Sequence, residues 1–309
     1  MAIISVCLAS LFLAIANFLM RKSIDAGGKA NAYLLIQLSI CFLISIMLGP
    51  VKENSYSINS QIAFFGLLTG IVLIVLLATL GKALETGPSG LTFSILSAAA
   101  VFPILIMVAF FGKAYGFFYT PWHAIGSFFV LIGLFWAGKY ASDPAPQVPG
   151  VKQKKIWIFL VSAMFILHIL LLVLYQGRAL ILSMDPFPFL LSREKMNSAW
   201  FVPMMYAGAV AIQLGTLLKT QKRWPNKKEW IYGSFGGFFN SLCTFFLLQG
   251  TQSAHGLQHS IIFPLYSIGT IFFSNLWSQW FYNEKVHWRA CQVCMAGIFL
   301  GSIDWKALL

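Results

Sequence analysis

Residues 66–112 decide the fold class, because they read GLLTGIVLIVLLATLGKALETGPSGLTFSILSAAAVFPILIMVAFFG. Two long apolar runs are separated by the short polar turn ETGPSG, residues 85–90. Each run is close to the roughly 20 residues that cross the hydrocarbon core of a bilayer as a helix. The stretch therefore predicts two membrane-spanning helices joined by a tight turn.

The composition of the whole chain indicates the same class. Of the 309 residues, 59% are hydrophobic and only 10% are charged, whereas a soluble domain carries roughly 25% charged residues. The polar and apolar alternation typical of an outer-membrane barrel is not seen in the sequence. The net charge of +12 arises in the breaks between apolar runs. It therefore indicates membrane orientation and does not predict nucleic-acid binding.

Ten predicted spans follow from the lengths of the apolar runs. Their approximate limits are 2–20, 32–50, 60–84, 88–111, 121–138, 156–176, 198–218, 229–249, 255–281 and 287–303. The fifth break is the most polar and proline-rich, and it separates five spans from five. The domains are thus a first five-helix repeat over 1–142, a polar linker over 143–155 and a second repeat over 156–309.

The third and fourth spans of each half share a pattern of glycine and proline. Residues 233–277 read GSFGGFFNSLCTFFLLQGTQSAHGLQHSIIFPLYSIGTIFFSNLW, with the same order as residues 66–112. In each half, one Gly ends the first helix of the pair and a second Gly opens the next helix. That next helix contains a Pro. These residues are Gly87, Gly90 and Pro103 in the first half and Gly250, Gly256 and Pro264 in the second. A repeat of five spans is inverted in the membrane, and inverted repeats with interrupted helices are typical of secondary transporters.

The predicted fold is therefore an all-α integral membrane protein with ten transmembrane helices in two inverted five-helix repeats. Fifteen of the 21 Lys and Arg residues lie in the odd-numbered breaks and six lie on the other side. The basic side is expected to be cytoplasmic, which would place both termini outside. The expected location is the inner, or cytoplasmic, membrane, as a multi-pass protein.

Three stretches resemble the EamA-like proteins of the drug/metabolite transporter superfamily. They are LAIANFLMRKSI at 13–24, LGKALETGPSGLTFSILSAAAVFPILIMVAFFG at 80–112 and FFSNLWSQWFYNEKVHWRACQVCMAGIFLG at 272–301. The resemblance covers nearly the whole chain through the order of these motifs. It implies a ten-helix transporter with a central substrate cavity, and it implies cytoplasmic termini, opposite to the charge count. The first span has Asn17 as its nearest polar residue where small multidrug relatives carry a proton-coupling Glu.

Glu284 follows Asn283 just before the predicted tenth span. A polar cap and a negative charge at a helix N-terminus contribute about 0.5–2 kcal/mol, so we predict a structural role for Glu284. A role in gating or ion coupling is the alternative. The turn residues Gly87 and Pro88 are likewise predicted to be structural, with Gly87 ending one helix and Pro88 opening the next.

Polar groups at bilayer depth are costly, so they are candidates for a substrate site. The predicted substrate-binding residues are Asn17, Thr92, Tyr175, Gln249, Gln252, His255, Gln258 and His259. His255 and His259 share a helix face, but a zinc site needs a third ligand. No nearby acid supplies one, so no metal and no cofactor are predicted.

The sequence predicts a transporter of a small polar metabolite that is amino-acid-like, nucleoside-like or S-adenosylmethionine-like. The chain is expected to act as a monomer without enzymatic activity. Two alternatives stay open. The GPSG turn at 87–90 fits the signature of rhomboid intramembrane proteases, with Ser89 as nucleophile and His168 or His255 as base. A channel or a receptor-like membrane protein is the other alternative.

Overall fold

A computed structural model of the chain describes residues 2–99, 102–111, 121–140, 151–184, 192–220, 223–253, 258–283 and 286–302. Within these ranges the chain is helical, without any strand. The helices are α1 (Ala2–Asp25), α2 (Ala30–Ile46), α3 (Ser60–Thr86), α4 (Ser89–Ala98), α5 (Phe102–Phe111), α6 (Pro121–Tyr140), α7 (Val151–Met184), α8 (Arg193–Met196), α9 (Phe201–Thr220), α10 (Lys227–Gln252), α11 (Gln258–Tyr282) and α12 (Trp288–Ser302). One π-helical turn, Met47–Val51, continues α2 and contains Pro50.

Six helices of the described part are long and apolar enough to cross a membrane: α1, α2 with its π turn, α3, α7, α9 and α10. The outer faces carry large apolar side chains, such as Phe64 and Phe159, which are 66% and 71% exposed. Such a surface is stable only against lipid. The chain is a multi-pass helical membrane protein, as predicted. The count of ten crossings and the inversion of the repeats stay predictions.

The helices pack across the two halves of the chain. Helix α1 packs against α10 and α11, α2 against α9 and α10, α3 against α7 and α9, and α6 against α12. Small residues allow the close crossings, as is usual between helices in a membrane. A methyl group at Gly70 of α3 would collide with the carbonyl oxygen of Met205 in α9. One at Gly237 of α10 would lie 2.7 Å from the carbonyl oxygen of Gln37 in α2.

Hydrogen bonds between connections define the two ends of the bundle. Lys29, between α1 and α2, donates its backbone N–H to Glu229 at the start of α10 (2.7 Å). The α3–α4 turn and the last turn of α11 lie at this same end, which we call the basic end. At the opposite end, Asn59 caps α3 by accepting the Ile62 N–H (2.8 Å) and donates to the carbonyl of Lys195 in α8 (2.9 Å).

The α3–α4 turn is close to its prediction, with one shift. Helix α3 ends at Thr86, Gly87 follows it, and Pro88 is the N-cap of α4, so that Ser89 is the first helical residue. Gly87 is extended, with φ −156°, and needs no special backbone conformation. It has to be glycine because a Cβ there would collide with the indole ring of Trp157 in α7.

The predicted fourth span, 88–111, is occupied by two helices. Helix α4 ends at Ala98 and α5 begins at Phe102, so Pro103 lies in the first turn of α5. A proline is tolerated in a first turn because the N–H it lacks would have no helical partner there. Pro103 is buried and Gly90 is buried in the first turn of α4.

Helix α12 begins within one residue of the predicted start at 287, but its cap differs from the prediction. Asn283 follows the last residue of α11 with φ 51°, a left-handed conformation that commonly ends a helix. Helix α12 begins at Trp288, and Nδ1 of His287 accepts the backbone N–H of Ala290 (3.1 Å). His287 therefore caps α12, and the predicted capping role of Asn283 was wrong. Glu284 lies outside the described residues.

Candidate functional site

The polar segment from Gln249 to His259 is only partly described. Gln249 is exposed on α10, and Gly250 is buried where Val6 of α1 approaches it. The backbones of Gln252, Gln258, His259 and Pro264 are helical, and their side chains lie outside the description. His255 and Gly256 fall outside the described residues. The predicted role of this segment in substrate binding therefore stays a prediction.

The structure does not bring the other predicted site residues to one point. Thr92 is buried, donates to the carbonyl of Pro88 (2.7 Å) and accepts a hydrogen bond from Nε1 of Trp157 (3.1 Å). Tyr175 lies 18 residues after Trp157 on α7, which is about 27 Å along the helix axis at 1.5 Å per residue. Thr92 and Tyr175 are thus at different depths of the bundle. Asn17 is buried on α1, and its Nδ2 has no described hydrogen-bond partner.

A cleft opens between α1, α4 and α11 toward the basic end. It has a free volume of about 10 Å³, room for about one water molecule, and is lined by Ala14, Phe18, Arg21, Ser89, Phe93, Ser274, Trp277, Ser278 and Tyr282. Its walls are aromatic, whereas its polar groups are three serines and one arginine. Ligand sites usually combine mostly apolar walls with a few converging polar groups, so this cleft is the candidate site.

The hydroxyl of Ser274, a residue that is 3% exposed, and Nε1 of Trp277 are buried polar groups of the cleft that make no hydrogen bond in the described part of the chain. A buried polar group without a partner costs about 1–3 kcal/mol. Both groups therefore have the capacity to bind a ligand atom. Close by, the Oγ atoms of Ser89 and Ser278 lie 3.2 Å apart and join α4 to α11.

Arg21 supplies the positive charge of the cleft. Its Nε lies 3.2 Å from Oδ1 of Asp25, Nη1 donates to the carbonyl oxygen of Leu84, and its guanidinium lies 5.6 Å from the centre of the Tyr282 ring. Nε makes no hydrogen bond with the described residues, although it lies beside Asp25. The neighbouring Lys22 lies 5.0–5.6 Å from the ring centres of Phe18, Phe281 and Tyr282. The mouth of the cleft is therefore cationic and aromatic.

A second polar cluster lies deeper, among α2, α9, α10 and α11. Asn240 donates to the hydroxyl of Tyr206 and the sulfur of Cys41 (both 3.4 Å), and Tyr206 lies 3.0 Å from the hydroxyl of Thr244. Cys243 lies 3.3 Å from the hydroxyl of Tyr266. These groups satisfy one another, which is what polar groups inside a membrane protein require.

The described residues give the protease alternative no specific support. Ser89 lies beside Ser278, while Nδ1 of His168 lies 2.6 Å from the carbonyl oxygen of Leu96. A serine nucleophile needs a base within hydrogen-bond reach. Among the described His, Cys, Asp and Glu side chains, no group of three is placed to hold a metal ion.

Sequence reasoning missed most of the cleft. Arg21 counts in the sequence only among the charges that set orientation, and Trp277 is not among the predicted site residues. Ser274 and Ser278 gave no signal, because serine is common in membrane helices. A signal did exist in spacing, since Ser274, Trp277 and Ser278 share one face of α11 at i, i+3 and i+4.

The comparisons with known proteins concern the fold. No protein-family model and no curated protein matches the sequence. Twelve chains of solved structures match the fold. One of them, described only as "Crystal structure of protein", aligns over 95% of this chain and 96% of its own with a TM-score of 0.57 and 12% identity. At that identity the likeness shows a shared fold.

Proposed function

We propose that this chain is a secondary transporter that moves a small polar organic metabolite across the membrane by alternating access. The proposal includes ten crossings in two inverted five-helix repeats of the drug/metabolite transporter type. Its partners are then the small-molecule substrate and the lipid of the cytoplasmic membrane. A single chain is the working unit.

The observation that carries the proposal is the pairing of helices between the halves. The order of helices matches α1 with α7, α2 with α9, α3 with α10, α4 and α5 with α11, and α6 with α12. If each helix is replaced by its match in the other half, the α3–α9 contact becomes the α10–α2 contact. In the same way, the α1–α10 contact becomes the α7–α3 contact. All four contacts occur in the structure. This exchange is what a two-fold axis between inverted repeats produces.

Matching details support the same relation. Helices α3 and α10 each begin after an asparagine cap, Asn59 and Asn226. Each also carries a Gly-x-x-x-Gly segment at its crossing, 66–70 on α3 and 233–237 on α10. Helix α3 starts at the opposite end of the bundle and helix α10 starts at the basic end. These two matched helices therefore run in opposite directions.

The first helix of each half also carries an arginine near one end, and these two arginines support the proposal of a carrier. Arg21 of α1 lies at the basic end beside the ring of Tyr282. Arg178 of α7 lies 4.5 Å from the ring centre of Phe201 and donates to the carbonyl of Met196 (3.1 Å), at the opposite end. A half-buried arginine is costly in a membrane and marks a pathway for polar solutes by default. One such group near each end suits a carrier that opens alternately.

In this conformation the cleft is too small for a metabolite, since ligand sites usually have about 300–1,000 Å³ and this one has about 10 Å³. A substrate larger than the cleft would need α1, α4 and α11 to separate. Helix separation around a fixed site is the movement that alternating access requires.

The test begins with the purified protein and a panel of amino acids, nucleosides and S-adenosylmethionine, screened for a rise in melting temperature. A ligand stabilises the state that it binds. Each stabilising compound is then tested in proteoliposomes for uptake that saturates and is accelerated by the same unlabelled compound inside. Counterflow of this kind distinguishes a carrier from a channel. Uptake that neither saturates nor shows counterflow would overturn the proposal.

A further inference from the structure

The chemistry of the α1–α4–α11 cleft indicates which class of substrate enters it, and this inference rests on the proposed function. Every unpartnered polar group described there is a donor or, for a hydroxyl, both donor and acceptor. Nε of Arg21 and Nε1 of Trp277 can only donate, and the hydroxyl of Ser274 can do so as well. A ligand that satisfies them must present acceptor oxygens.

The charge of the cleft favours an anion. Arg21 is the cationic residue of the lining, and no carboxylate belongs to that lining. Oδ1 of Asp25, whose side chain is 35% exposed, lies 3.2 Å from Nε of Arg21, but Nε makes no hydrogen bond with the described residues. The guanidinium therefore keeps an N–H that an anionic ligand can use. Arginine binds carboxylates through two parallel N–H groups better than lysine does.

The walls restrict the rest of the ligand. Phe18, Phe93, Trp277 and Tyr282 surround the polar groups and give the cleft an apolar interior. A strongly hydrated dianion, such as a phosphate ester, would lose more hydration there than a single guanidinium returns. A planar or aliphatic body, in contrast, gains from burial against aromatic rings.

We propose that the cleft binds a carboxylate that carries a compact apolar or aromatic group, with the carboxylate held by Arg21, Trp277 and Ser274. Its apolar group lies against Phe18 and Phe93 once α1, α4 and α11 have separated, because the cleft as it stands has room for about one water molecule. Within the substrate classes considered above, this selects amino-acid-like molecules and disfavours nucleosides, which have no carboxylate.

Four probes with the same phenyl body test the class: 3-phenylpropionate, 3-phenylpropionamide, 3-phenylpropylamine and phenyl phosphate. Binding to the full chain in detergent is measured by calorimetry and by the rise in melting temperature. The carboxylate is expected to bind best, with the amide and the amine at least about 10-fold weaker, since a charge-assisted hydrogen bond contributes about 1.5–3 kcal/mol. An amide that binds as tightly as the carboxylate overturns the proposal, and so does tighter binding of phenyl phosphate.

Variants assign the residues. Arg21→Gln is expected to weaken 3-phenylpropionate about 10- to 100-fold and to leave the weak binding of the amide unchanged. Trp277→Phe keeps the ring and removes the N–H, and should weaken the carboxylate about 3- to 10-fold. Arg289→Gln changes an exposed arginine of α12 and is the matched control, with unchanged binding expected.

Should Arg21→Gln fail to fold, Trp277→Phe combined with Ser274→Ala gives the same test. Full affinity for the carboxylate in this double variant overturns the proposal. The transport assay separates this inference from the proposed function. Binding of the carboxylate without any counterflow rejects the carrier and keeps the site. Counterflow of a panel metabolite that Arg21→Gln leaves unchanged rejects the site and keeps the carrier.

Discussion

Glu229 accepts a hydrogen bond from the backbone N–H of Lys29, 2.7 Å from its Oε1, and this contact ties the α1–α2 connection to the first turn of α10. The same carboxylate accepts two hydrogen bonds from Arg223, at 2.8 and 2.6 Å, and one from the backbone N–H of Asn226 at 2.6 Å. The bidentate contact with Glu229 raises the pKa of Arg223. The side chain of Glu229 is fully buried, so its charge depends on these donors.

Replacing Glu229 by Gln is therefore expected to destabilise the protein by about 3 kcal/mol, because Arg223 loses its charged partner and Gln has one acceptor oxygen where the carboxylate has two. The measurement is thermal or denaturant unfolding in detergent. Glu53→Gln is the control, since Glu53 is exposed and its change should cost less than about 0.5 kcal/mol. Equal effects of the two substitutions would show that Glu229 has no special role.

The glycines at the helix crossings give a second prediction. Gly70→Ala and Gly237→Ala each place a methyl group against a backbone carbonyl of the neighbouring helix, and each should destabilise by about 1–3 kcal/mol. Gly215→Ala on the exposed face of α9 meets nothing within 4 Å. It should be neutral or slightly stabilising, because alanine favours helix more than glycine does. Similar melting temperatures for all three variants would contradict the close packing.

The positions of the helices were predictable because run length and punctuation are local properties. Helix α3 spans Ser60–Thr86 where 60–84 was predicted, and α10 spans Lys227–Gln252 where 229–249 was predicted. The end of α4 at Ala98 was not predicted, since the apolar run continues to Phe111. The role of His287 as the cap of α12 was missed because an Asn–Glu pair is the stronger capping signal.

The inward faces were not predictable. A helix that is apolar all round shows no polar face to distinguish lipid from interior. Glu229 could have been found from Asn226-x-x-Glu229, which has the spacing of a capping box, but its contact with Lys29 is set by tertiary packing. Arg21 of α1 and Ser274 of α11 line the same cleft although they are 253 residues apart in the sequence. No local sequence pattern predicts that two such distant residues come together.

Inversion of the repeats is tested by labelling the segments that lead into α3 and α10. Glu53 lies seven residues before α3, Lys227 is the first residue of α10, and both are exposed. Single cysteines there, in a background with Cys7→Ala, should react with an impermeable maleimide from opposite sides of the membrane. The other four cysteines are buried. Labelling of both from the same side would exclude inversion.

The same experiment decides orientation. The excess of Lys and Arg at the basic end predicts that Lys227→Cys is protected in intact cells and Glu53→Cys is labelled. The reversed pattern would keep the inversion and place both termini in the cytoplasm, as the resemblance to the drug/metabolite transporters implies.

The last prediction concerns movement between α4 and α11. The Oγ atoms of Ser89 and Ser278 lie 3.2 Å apart at the edge of the cleft, and both residues are buried. Cysteines at both positions should form a disulfide on oxidation, because opposed side chains at this distance suit its geometry. If alternating access separates these helices, the oxidised protein should lose nearly all counterflow, and a reducing agent should restore it. Each single cysteine variant is the control for the substitution itself, and neither should respond to oxidant. Unchanged counterflow in a fully cross-linked protein would mean that α4 and α11 move as one body, and the opening would then have to occur between other helices.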